Sequence, residues 1–449
     1  MRRLFGTDGV RGVANSELTA DLAYKLGKAG AYVLAGEAKH VPRIIVGMDT
    51  RISGYMLEAA LTAGICSVGA EAIILGVIPT PAVAYLTRYY KADAGIVISA
   101  SHNPFEFNGI KFFNSQGYKL PDATEDRIEQ LIRDGFAGIP VPTGKEVGVR
   151  STRESALEDY MAFLEGTIDC NLEGLNLAID CANGASYKVA PTLLSRLGAK
   201  VSVTSNNPDG VNINKNCGST HLGSLQKFVK ENKADLGLAF DGDADRVLAV
   251  DENGCVVDGD RIMAIIGLDL NKRGMLAHDT IVATVMSNLG FDIMARDNGL
   301  KIAKTKVGDR YVLEEMLEKG YILGGEQSGH VIFLEHNTTG DGLLTALQLL
   351  KVVKTSGKKL SELASVMQIF PQVLKNAKAK NENKHKYMED ELVARMCKEL
   401  ETEFHGEGRV LIRPSGTEPL VRVMIEGRDQ EYITRRANEL AAVIEERLG

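Results

Sequence analysis

The chain has 449 residues, which at about 100–200 residues per domain predicts two to four domains. Hydrophobic residues make up 44% and charged residues 25%, a globular balance that excludes general disorder. Lys and Arg number 52 against 59 Asp and Glu, so the formal net charge is −7. We therefore expect neither nucleic acid nor a membrane surface as a partner, and an anionic ligand would need positive charge gathered locally.

No segment predicts membrane insertion. The most apolar stretch, residues 72–86, is too short to span a bilayer and contains Pro79 and Pro81. The N-terminal segment lacks the apolar core of a signal peptide because Asp8 and Arg11 interrupt it. The six cysteines form no C-x-x-C pair, which argues against a zinc site and against a disulfide framework. We expect a reduced, cytoplasmic enzyme.

Short runs rich in Val and Ile alternate with segments of helical period over the first 370 residues. In chain order, this alternation predicts strands at 43–47, 72–76, 95–99, 175–180, 200–204, 235–240, 280–285, 301–305 and 321–325. Continuous apolar strands separated by helices, such as the helix predicted over 54–68, are typical of mostly parallel sheets covered on both faces. The pattern recurs three times and predicts three similar α/β domains.

The residues after 370 follow another pattern. A charged stretch at 375–391 is interpreted as solvated surface. Helices are predicted near 388–402 and 430–447, with strands near 408–413 and 420–427 between them. This order predicts a smaller C-terminal α+β domain. We place the four domains at 1–150, 151–255, 256–370 and 371–449.

The strongest local signal is DGDADR at 241–246, directly after a predicted strand. Asp241, Asp243 and Asp245 lie at the carboxyl end of that strand, where ligands bind in open α/β sheets. Three carboxylates suit a hard cation such as Mg²⁺, and Arg246 adds a donor for a phosphoryl oxygen. Two alternatives stay open. An EF-hand fits Glu252 at loop position 12 but not Arg246 at the glycine position, and a solvated acidic turn would leave three acids repelling one another.

A second motif, SASHNP at 99–104, also follows a predicted strand. Ser101 there is a candidate nucleophile, and His102 beside it a candidate donor or base. Taken alone, the motif is also consistent with an ordinary turn, because Ser, Asn and Pro form turns for conformational reasons. Lys111, further along in NGIKFF, supplies a cation that could act as acid or base.

The third motif is GGEQSGH at 324–330. Its glycines let the backbone approach a ligand closely, and Glu326 and Ser328 could read hydroxyl or amino groups of a sugar. His330, which opens the next predicted strand, fits a structural role equally well.

Two further segments could bind phosphate. RPSGTEP at 413–419, with Arg422 shortly after it, combines a glycine-centred loop, hydroxyls and guanidinium groups, as in a phosphate nest; its alternative is a surface turn. Arg11 in FGTDGVRG at 5–12 could reach a phosphate, and a glycine-rich turn is an equally good interpretation. The chain contains no Walker A motif and no G-x-G-x-x-G motif after a strand, so ordinary ATP-binding and Rossmann folds lose their usual support.

The motifs FGTDGVRG, SASHNP, DGDADR, GEQSGH and RPSGTEP occur in this order across nearly the whole chain. Because it contains these ordered motifs, the sequence resembles the α-D-phosphohexomutase superfamily. FGTDGVRGVAN, NGIKFF and Gln327 are most similar to members that act on hexosamine phosphates, since relatives acting on mannose or glucose phosphates tend to carry Met in place of Gln327. Phe107 departs from the family pattern, which has a polar or acidic residue there.

The resemblance implies four domains around a central cleft, a possible homodimer, and interconversion of glucosamine 6-phosphate and glucosamine 1-phosphate through a 1,6-bisphosphate. Ser101, activated by phosphorylation, would share one Mg²⁺ with Asp241, Asp243 and Asp245. The remaining implied roles fall into three groups: Arg11, His102 and Lys111 at the reacting hydroxyl; Arg246, Thr305, Gly308, Glu326, Ser328 and His330 at the sugar; and Arg413, Ser415, Gly416, Thr417 and Arg422 at the phosphate that is not reacting.

Three other functions stay open at this point. A phosphomannomutase or phosphoglucomutase would use the same fold. A metal-dependent phosphatase is opposed by the phosphate clamp at 413–422, because hydrolysis gains little from retaining a bisphosphate. A Ca²⁺-binding module built on DGDADR is opposed by Arg246.

Overall fold

The structure is a computed structural model that describes residues 3–6, 8–36, 40–415 and 418–449. It divides the chain into two units, one of Met1–Met286 with Lys301–Val366 and one of Ser287–Leu300 with Met367–Gly449. The second unit therefore includes a segment that our boundaries place in the third domain. Among the helices of the described residues, none combines the length and the apolar content needed to cross a membrane.

The first sheet of the first unit is built from buried aliphatic strands. Its region contains β1 (Val10–Val13), α1 (Ala20–Ala35), β2 (Arg43–Met48), α2 (Gly54–Cys66), β3 (Glu71–Val77), α3 (Thr80–Tyr89), β4 (Ala94–Ile98), β5 (Phe107–Asn114), α4 (Asp122–Arg133) and β6 (Arg150–Thr152). The strand order is β1-β5-β4-β2-β3-β6, with β4, β2, β3 and β6 parallel and β5 antiparallel to its neighbours. Every residue of β4 is buried, as expected for a strand covered on both faces.

The second sheet repeats this plan on a smaller scale. Its region contains α5 (Ala156–Glu165), β7 (Asn176–Asp180), α6 (Ser186–Arg196), β8 (Lys200–Thr204), α7 (Gly223–Glu231), β9 (Leu236–Phe240), β10 (Val247–Asp251) and β11 (Val256–Val257). The order is β11-β10-β9-β7-β8, with β8, β7 and β9 parallel and β10 antiparallel to both neighbours. A tight loop joins β9 to β10, and DGDADR lies in it.

The third sheet completes the first unit. The elements of the region are α8 (Gly259–Lys272), β12 (Thr280–Thr284), α9 (Leu289–Asp297), β13 (Lys301–Thr305), α10 (Asp309–Lys319), β14 (Leu323–Gly325), β15 (Val331–Phe333), α11 (Gly342–Ser356) and α12 (Leu360–Ala364), of which α9 belongs to the second unit. The order is β13-β12-β14-β15, parallel except for β15.

The sheet of the second unit is antiparallel throughout. Besides α9, this unit contains β16 (Gln372–Lys378), α13 (Glu391–Glu403), β17 (Gly408–Pro414), β18 (Leu420–Gly427) and α14 (Gln430–Leu448), with strand order β16-β18-β17. The predicted fold class is confirmed: three α/β domains with mixed, mostly parallel sheets and a smaller C-terminal α+β domain.

The charged stretch at 375–391 is not all solvated surface. Its first residues belong to β16, which pairs with β18 along its whole length. Lys384 is only 7% exposed, and its ammonium donates to the carbonyl oxygens of Ser415 at 2.6 Å and Glu418 at 3.3 Å. The sequence interpretation is wrong for Lys384, because a lysine that binds buried carbonyls cannot be told from a surface lysine by composition.

Helices α1 and α2 approach each other closely enough to require glycine. A Cβ added at Gly64 would lie 2.2 Å from the carbonyl oxygen of Tyr24, and one added at Gly27 would lie 2.4 Å from that of Leu61. Neither contact can be relieved by a side-chain rotation, because the opposing atoms belong to the backbone.

We therefore expect Gly64→Ala to destabilise the protein by about 1–3 kcal/mol, the usual cost of overpacking. Gly223→Ala is the matched control: Gly223 opens α7, and a Cβ there would meet nothing within 4 Å. Thermal unfolding followed by circular dichroism should show a lower midpoint for Gly64→Ala and an unchanged or higher one for the control. Equal midpoints for both variants would contradict the backbone-contact interpretation.

Candidate active site

Ser101 lies just beyond the end of β4 in a left-handed backbone conformation, with φ of +52° and 2% exposure. For a residue with a Cβ, this conformation costs about 1–2 kcal/mol. The surrounding structure must therefore hold the loop, as is common for strained residues at functional sites.

A buried arginine holds this loop. The side chain of Arg51 has no solvent exposure, and its guanidinium donates to the carbonyl oxygens of Ser101 at 2.8 Å and Asn103 at 2.9 Å, and also to those of Pro104 and Phe107. Its Nε donates to Asp49 at 2.8 Å. The single planar side chain of Arg51 thus binds four backbone carbonyl oxygens of this loop.

The Ser101 hydroxyl donates to Asp241 Oδ2 at 2.6 Å, which joins the SASHNP and DGDADR loops. The loop at 241–245 passes so close to the carbonyl of Ser101 that a Cβ at Gly242 would lie 2.6 Å from that oxygen. His102 Nδ1 is 3.3 Å from the same hydroxyl. Burial and the neighbouring Arg246 lower the pKa of His102, so its imidazole is neutral near pH 7.

Asp241, Asp243 and Asp245 converge as the sequence predicted. One carboxylate oxygen from each lies within 4.8 Å of the others, and the three residues are 1%, 1% and 8% exposed. Burial and the two neighbouring acids raise the pKa of Asp241. Burial acts in the same direction on Asp243, but the Lys111 ammonium, 2.7 Å away, overrides it and lowers the pKa of Asp243.

Lys111 extends from β5 into this cluster and lies 3.9 Å from Asp245 as well. Burial opposes its charge, but Asp243 and Asp245 raise its pKa overall, so Lys111 is an ammonium group. Thr80, at the start of α3, donates its hydroxyl to Asp243 at 2.7 Å and its N–H to the Asp243 carbonyl at 2.9 Å. No local sequence pattern indicates this role of Thr80.

The donor set fits a hard cation. Asp243 Oδ1 and Asp245 Oδ1 are buried and have no hydrogen-bond partner among the described residues, and such atoms are costly unless a cation or water satisfies them. The structure excludes an EF-hand, because the loop runs into the strand β10 at Val247 and the Glu252 carboxylate binds Ser361 instead.

Next to this cluster lies a cavity of about 280 Å³. Seven of the predicted site residues line it: Arg11, Ser101, Asp245, Arg246, Gly308, Glu326 and His330. The N–H of Gly308 donates to Glu326 Oε1 at 3.1 Å. This hydrogen bond joins the segment TKVGDR, residues 305–310, to the GEQSGH loop. His330 is 2% exposed, and neither ring nitrogen has a hydrogen-bond partner among the described residues.

Two predicted sugar-reading residues do not line this cavity. The Thr305 hydroxyl donates to the carbonyl of Lys306 at 3.0 Å. Ser328 lies in the turn between β14 and β15, and its buried hydroxyl has no partner among the described residues. Sequence reasoning missed Asp8 and Asp309, which line the cavity, and Lys119, which pairs with both.

In the second unit, Arg413 and Arg422 face each other across β17 and β18. Burial and Arg422 lower the pKa of Arg413, as expected when two guanidinium groups lie side by side. Ser415 is 5% exposed, and its hydroxyl accepts a hydrogen bond from the N–H of Glu418 at 3.2 Å. Gly416 and Thr417, also predicted to bind phosphate, lie outside the described residues.

Four family models match nearly the whole chain. Phosphoglucomutase/phosphomannomutase alpha/beta/alpha domains I, II and III match residues 2–137, 158–254 and 258–370, and the C-terminal domain of the same family matches 374–443. The chain belongs to the phosphoglucomutase/phosphomannomutase family of the α-D-phosphohexomutases, which are mutase enzymes.

Two curated relatives are similar to this chain over its full length. The phosphoglucosamine mutases of Acetivibrio thermocellus and Clostridium acetobutylicum are 71% and 61% identical to this chain, each over the whole of both sequences. A crystal structure of a phosphoglucomutase/phosphomannomutase family protein from Burkholderia thailandensis has a TM-score of 0.83 at 23% identity, covering 99% of this chain and 97% of that one.

The position of Thr80 leads to a prediction about metal affinity. Thr80→Val removes the hydroxyl that orients Asp243, and loss of such a partner typically weakens metal binding about 10-fold or more. Thr62→Val is the matched control, because the buried Thr62 hydroxyl has no hydrogen-bond partner among the described residues. Calorimetric titration with Mg²⁺ should show weaker binding for Thr80→Val alone; unchanged affinity would contradict this role.

Proposed function

We propose that the chain is a phosphoglucosamine mutase, which interconverts glucosamine 6-phosphate and glucosamine 1-phosphate. The observation that carries the proposal is the 2.6 Å contact between the Ser101 hydroxyl and a buried carboxylate of a three-aspartate cluster, beside a cavity lined by Arg11, Arg246 and His330. The full-length identity to curated phosphoglucosamine mutases supports the substrate assignment. Its product, glucosamine 1-phosphate, would supply the synthesis of UDP-N-acetylglucosamine.

The reaction begins with Ser101 phosphorylated. The O1 hydroxyl of glucosamine 6-phosphate attacks the phosphorus, the bond from phosphorus to Ser101 Oγ breaks, and the hydroxyl proton passes to the serine oxygen. The resulting 1,6-bisphosphate reorients and returns its 6-phosphate to Ser101 by the reverse steps, which leaves glucosamine 1-phosphate. Catalysis of this kind depends on positioning and charge neutralisation rather than on a deprotonating triad.

We propose that one Mg²⁺ is held by Asp241, Asp243, Asp245 and the phosphate on Ser101. The fit of the ion rests on the two buried carboxylate oxygens described above, which have no hydrogen-bond partner among the described residues. When bound, the ion would spread the negative charge of the transferring phosphoryl group. Lys111, held as an ammonium by Asp243, neutralises charge beside the same group and is a donor rather than a base at neutral pH.

The remaining residues take the roles that the family motifs imply. Arg11 and Arg246 face the reacting phosphate, and His102 supports the phosphoserine. Glu326 suits the amino group of the sugar, since a carboxylate pairs with an ammonium, while Gly308, Thr305, Ser328 and His330 complete the sugar contacts. In the second unit, Arg413, Ser415, Gly416, Thr417 and Arg422 bind the phosphate that is not reacting.

The substrate assignment is tested by comparing kcat/KM for glucosamine, glucose and mannose 6-phosphates. We expect the highest value for glucosamine 6-phosphate. A value for glucose or mannose 6-phosphate well above it would overturn the assignment in favour of a phosphoglucomutase or phosphomannomutase. Free phosphate should be released far more slowly than the sugar is isomerised; the opposite order would indicate a phosphatase.

Ser101→Ala should abolish turnover, because the oxygen that carries the phosphoryl group is lost. Arg51 holds the backbone carbonyl of Ser101, which this substitution leaves in place, so the fold should persist. Ser224→Ala, at an exposed position on α7, is the control. Intact-mass spectrometry should find one phosphate on the wild type and on the control but none on Ser101→Ala, and near-normal activity of Ser101→Ala would refute the mechanism.

Arg413→Gln should raise KM for the hexose phosphate more than it lowers stability, because the half-buried guanidinium faces the cationic Arg422 rather than a structural carboxylate. Arg435→Gln removes an exposed guanidinium from α14 and serves as the control. Steady-state kinetics and thermal unfolding of both variants test this. A large fall in unfolding temperature with unchanged KM would assign Arg413 a structural role instead.

A further inference from the structure

Lys119 joins two carboxylates that come from distant parts of the chain. Its ammonium lies 2.9 Å from Asp8 Oδ1 and contacts Asp309 Oδ2 directly. Asp8 belongs to the N-terminal segment, Lys119 follows β5, and Asp309 is the first residue of α10. The three side chains are 33%, 22% and 17% exposed, so the solvent screens these ion pairs only partly.

Each of these carboxylates also faces a residue of the reaction cavity. Asp8 Oδ2 is 3.4 Å from the Arg11 guanidinium, and Asp309 Oδ2 is 3.5 Å from His330 Nε2. The five side chains therefore form one connected series, Arg11–Asp8–Lys119–Asp309–His330, which begins and ends at a residue that lines the cavity.

The charges of this series reinforce one another. Burial opposes the ionised form of Asp8 and Asp309, but Lys119 together with other neighbouring groups outweighs it, and the pKa of each carboxyl is lowered. Burial likewise opposes the charge of Lys119, and the two carboxylates raise its pKa overall. All three groups are therefore charged near neutral pH.

We propose that Lys119 is a positioning residue for the phosphoryl transfer: by binding both carboxylates it keeps Asp8 and Asp309 from drawing Arg11 and His330 out of the reaction cavity. The inference rests on the proposed function, since that function places Arg11 at the reacting phosphate and His330 at the sugar. Lys119 itself does not line the cavity, so it acts only through its two partners.

The consequence of removing the ammonium follows from electrostatics. Asp8 and Asp309 would each lose their nearest cation and would take Arg11 and His330 as closer partners. The guanidinium would then be oriented away from the transferring phosphoryl group and the imidazole away from the sugar, where small misplacements are costly. Binding of the unreacting phosphate involves other residues, so the loss should fall on kcat rather than on KM.

The test compares Lys119→Met and Lys119→Arg with Lys319→Met, which removes an exposed lysine that pairs with its neighbour Glu318 on α10. The substrate is whichever hexose 6-phosphate the wild type isomerises best, so that a wrong sugar assignment does not affect the result. We expect Lys119→Met to lower kcat about 10-fold or more with little change in KM and with the phosphate on Ser101 retained. Lys119→Arg should recover much of kcat, and Lys319→Met should equal the wild type.

A purely structural role is separated by the double variant Lys119→Met with Asp309→Asn, which removes one charge of each sign. We expect the double variant to regain thermal stability but only part of kcat, because Asp309→Asn removes the charge that draws His330 while Asp8 still draws Arg11. Full recovery of kcat together with stability would overturn the proposal. So would a normal kcat in Lys119→Met, or a raised KM at unchanged kcat.

Discussion

The mutual repulsion of Asp241, Asp243 and Asp245 governs the arrangement of the site. Three carboxylates within 4.8 Å of one another and almost shielded from water are costly. Lys111 offsets part of the charge, and Arg246 lies 3.7 Å from Asp245. Two carboxylate oxygens still have no hydrogen-bond partner among the described residues. The remaining negative charge makes the loop receptive to a cation and, through it, to a phosphoryl group.

The two sides of the site are held by different means. On the Ser101 side, Arg51 binds backbone carbonyls, and a strained conformation is fixed by hydrogen bonds that leave little freedom. On the sugar side, the N–H of Gly308 donates to Glu326, and Asp309 lies 3.5 Å from His330. Phosphoryl transfer needs one atom placed closely, and the contacts of Arg51 meet this requirement on the Ser101 side.

The sequence predicted the fold class and the carboxylate cluster because both follow from local patterns. Apolar strands and the position of DGDADR directly after β9 are legible within a few residues. The roles of Thr80, Arg51 and Lys119 could not be predicted from the sequence, because each side chain contacts residues far away along the chain. Thr80, for example, binds a residue 163 positions away. Lys119 lies in the short segment between β5 and α4, and only the folded chain shows that Asp8 and Asp309 are its partners.

The facing pair Arg413 and Arg422 has a consequence for the second unit as a folded body. Two guanidinium groups on adjacent strands repel each other until an anion lies between them. A ligand that binds only the folded form adds its binding free energy to folding. If the pair binds phosphate as proposed, the thermal resistance of this unit would rise with the concentration of phosphorylated sugar.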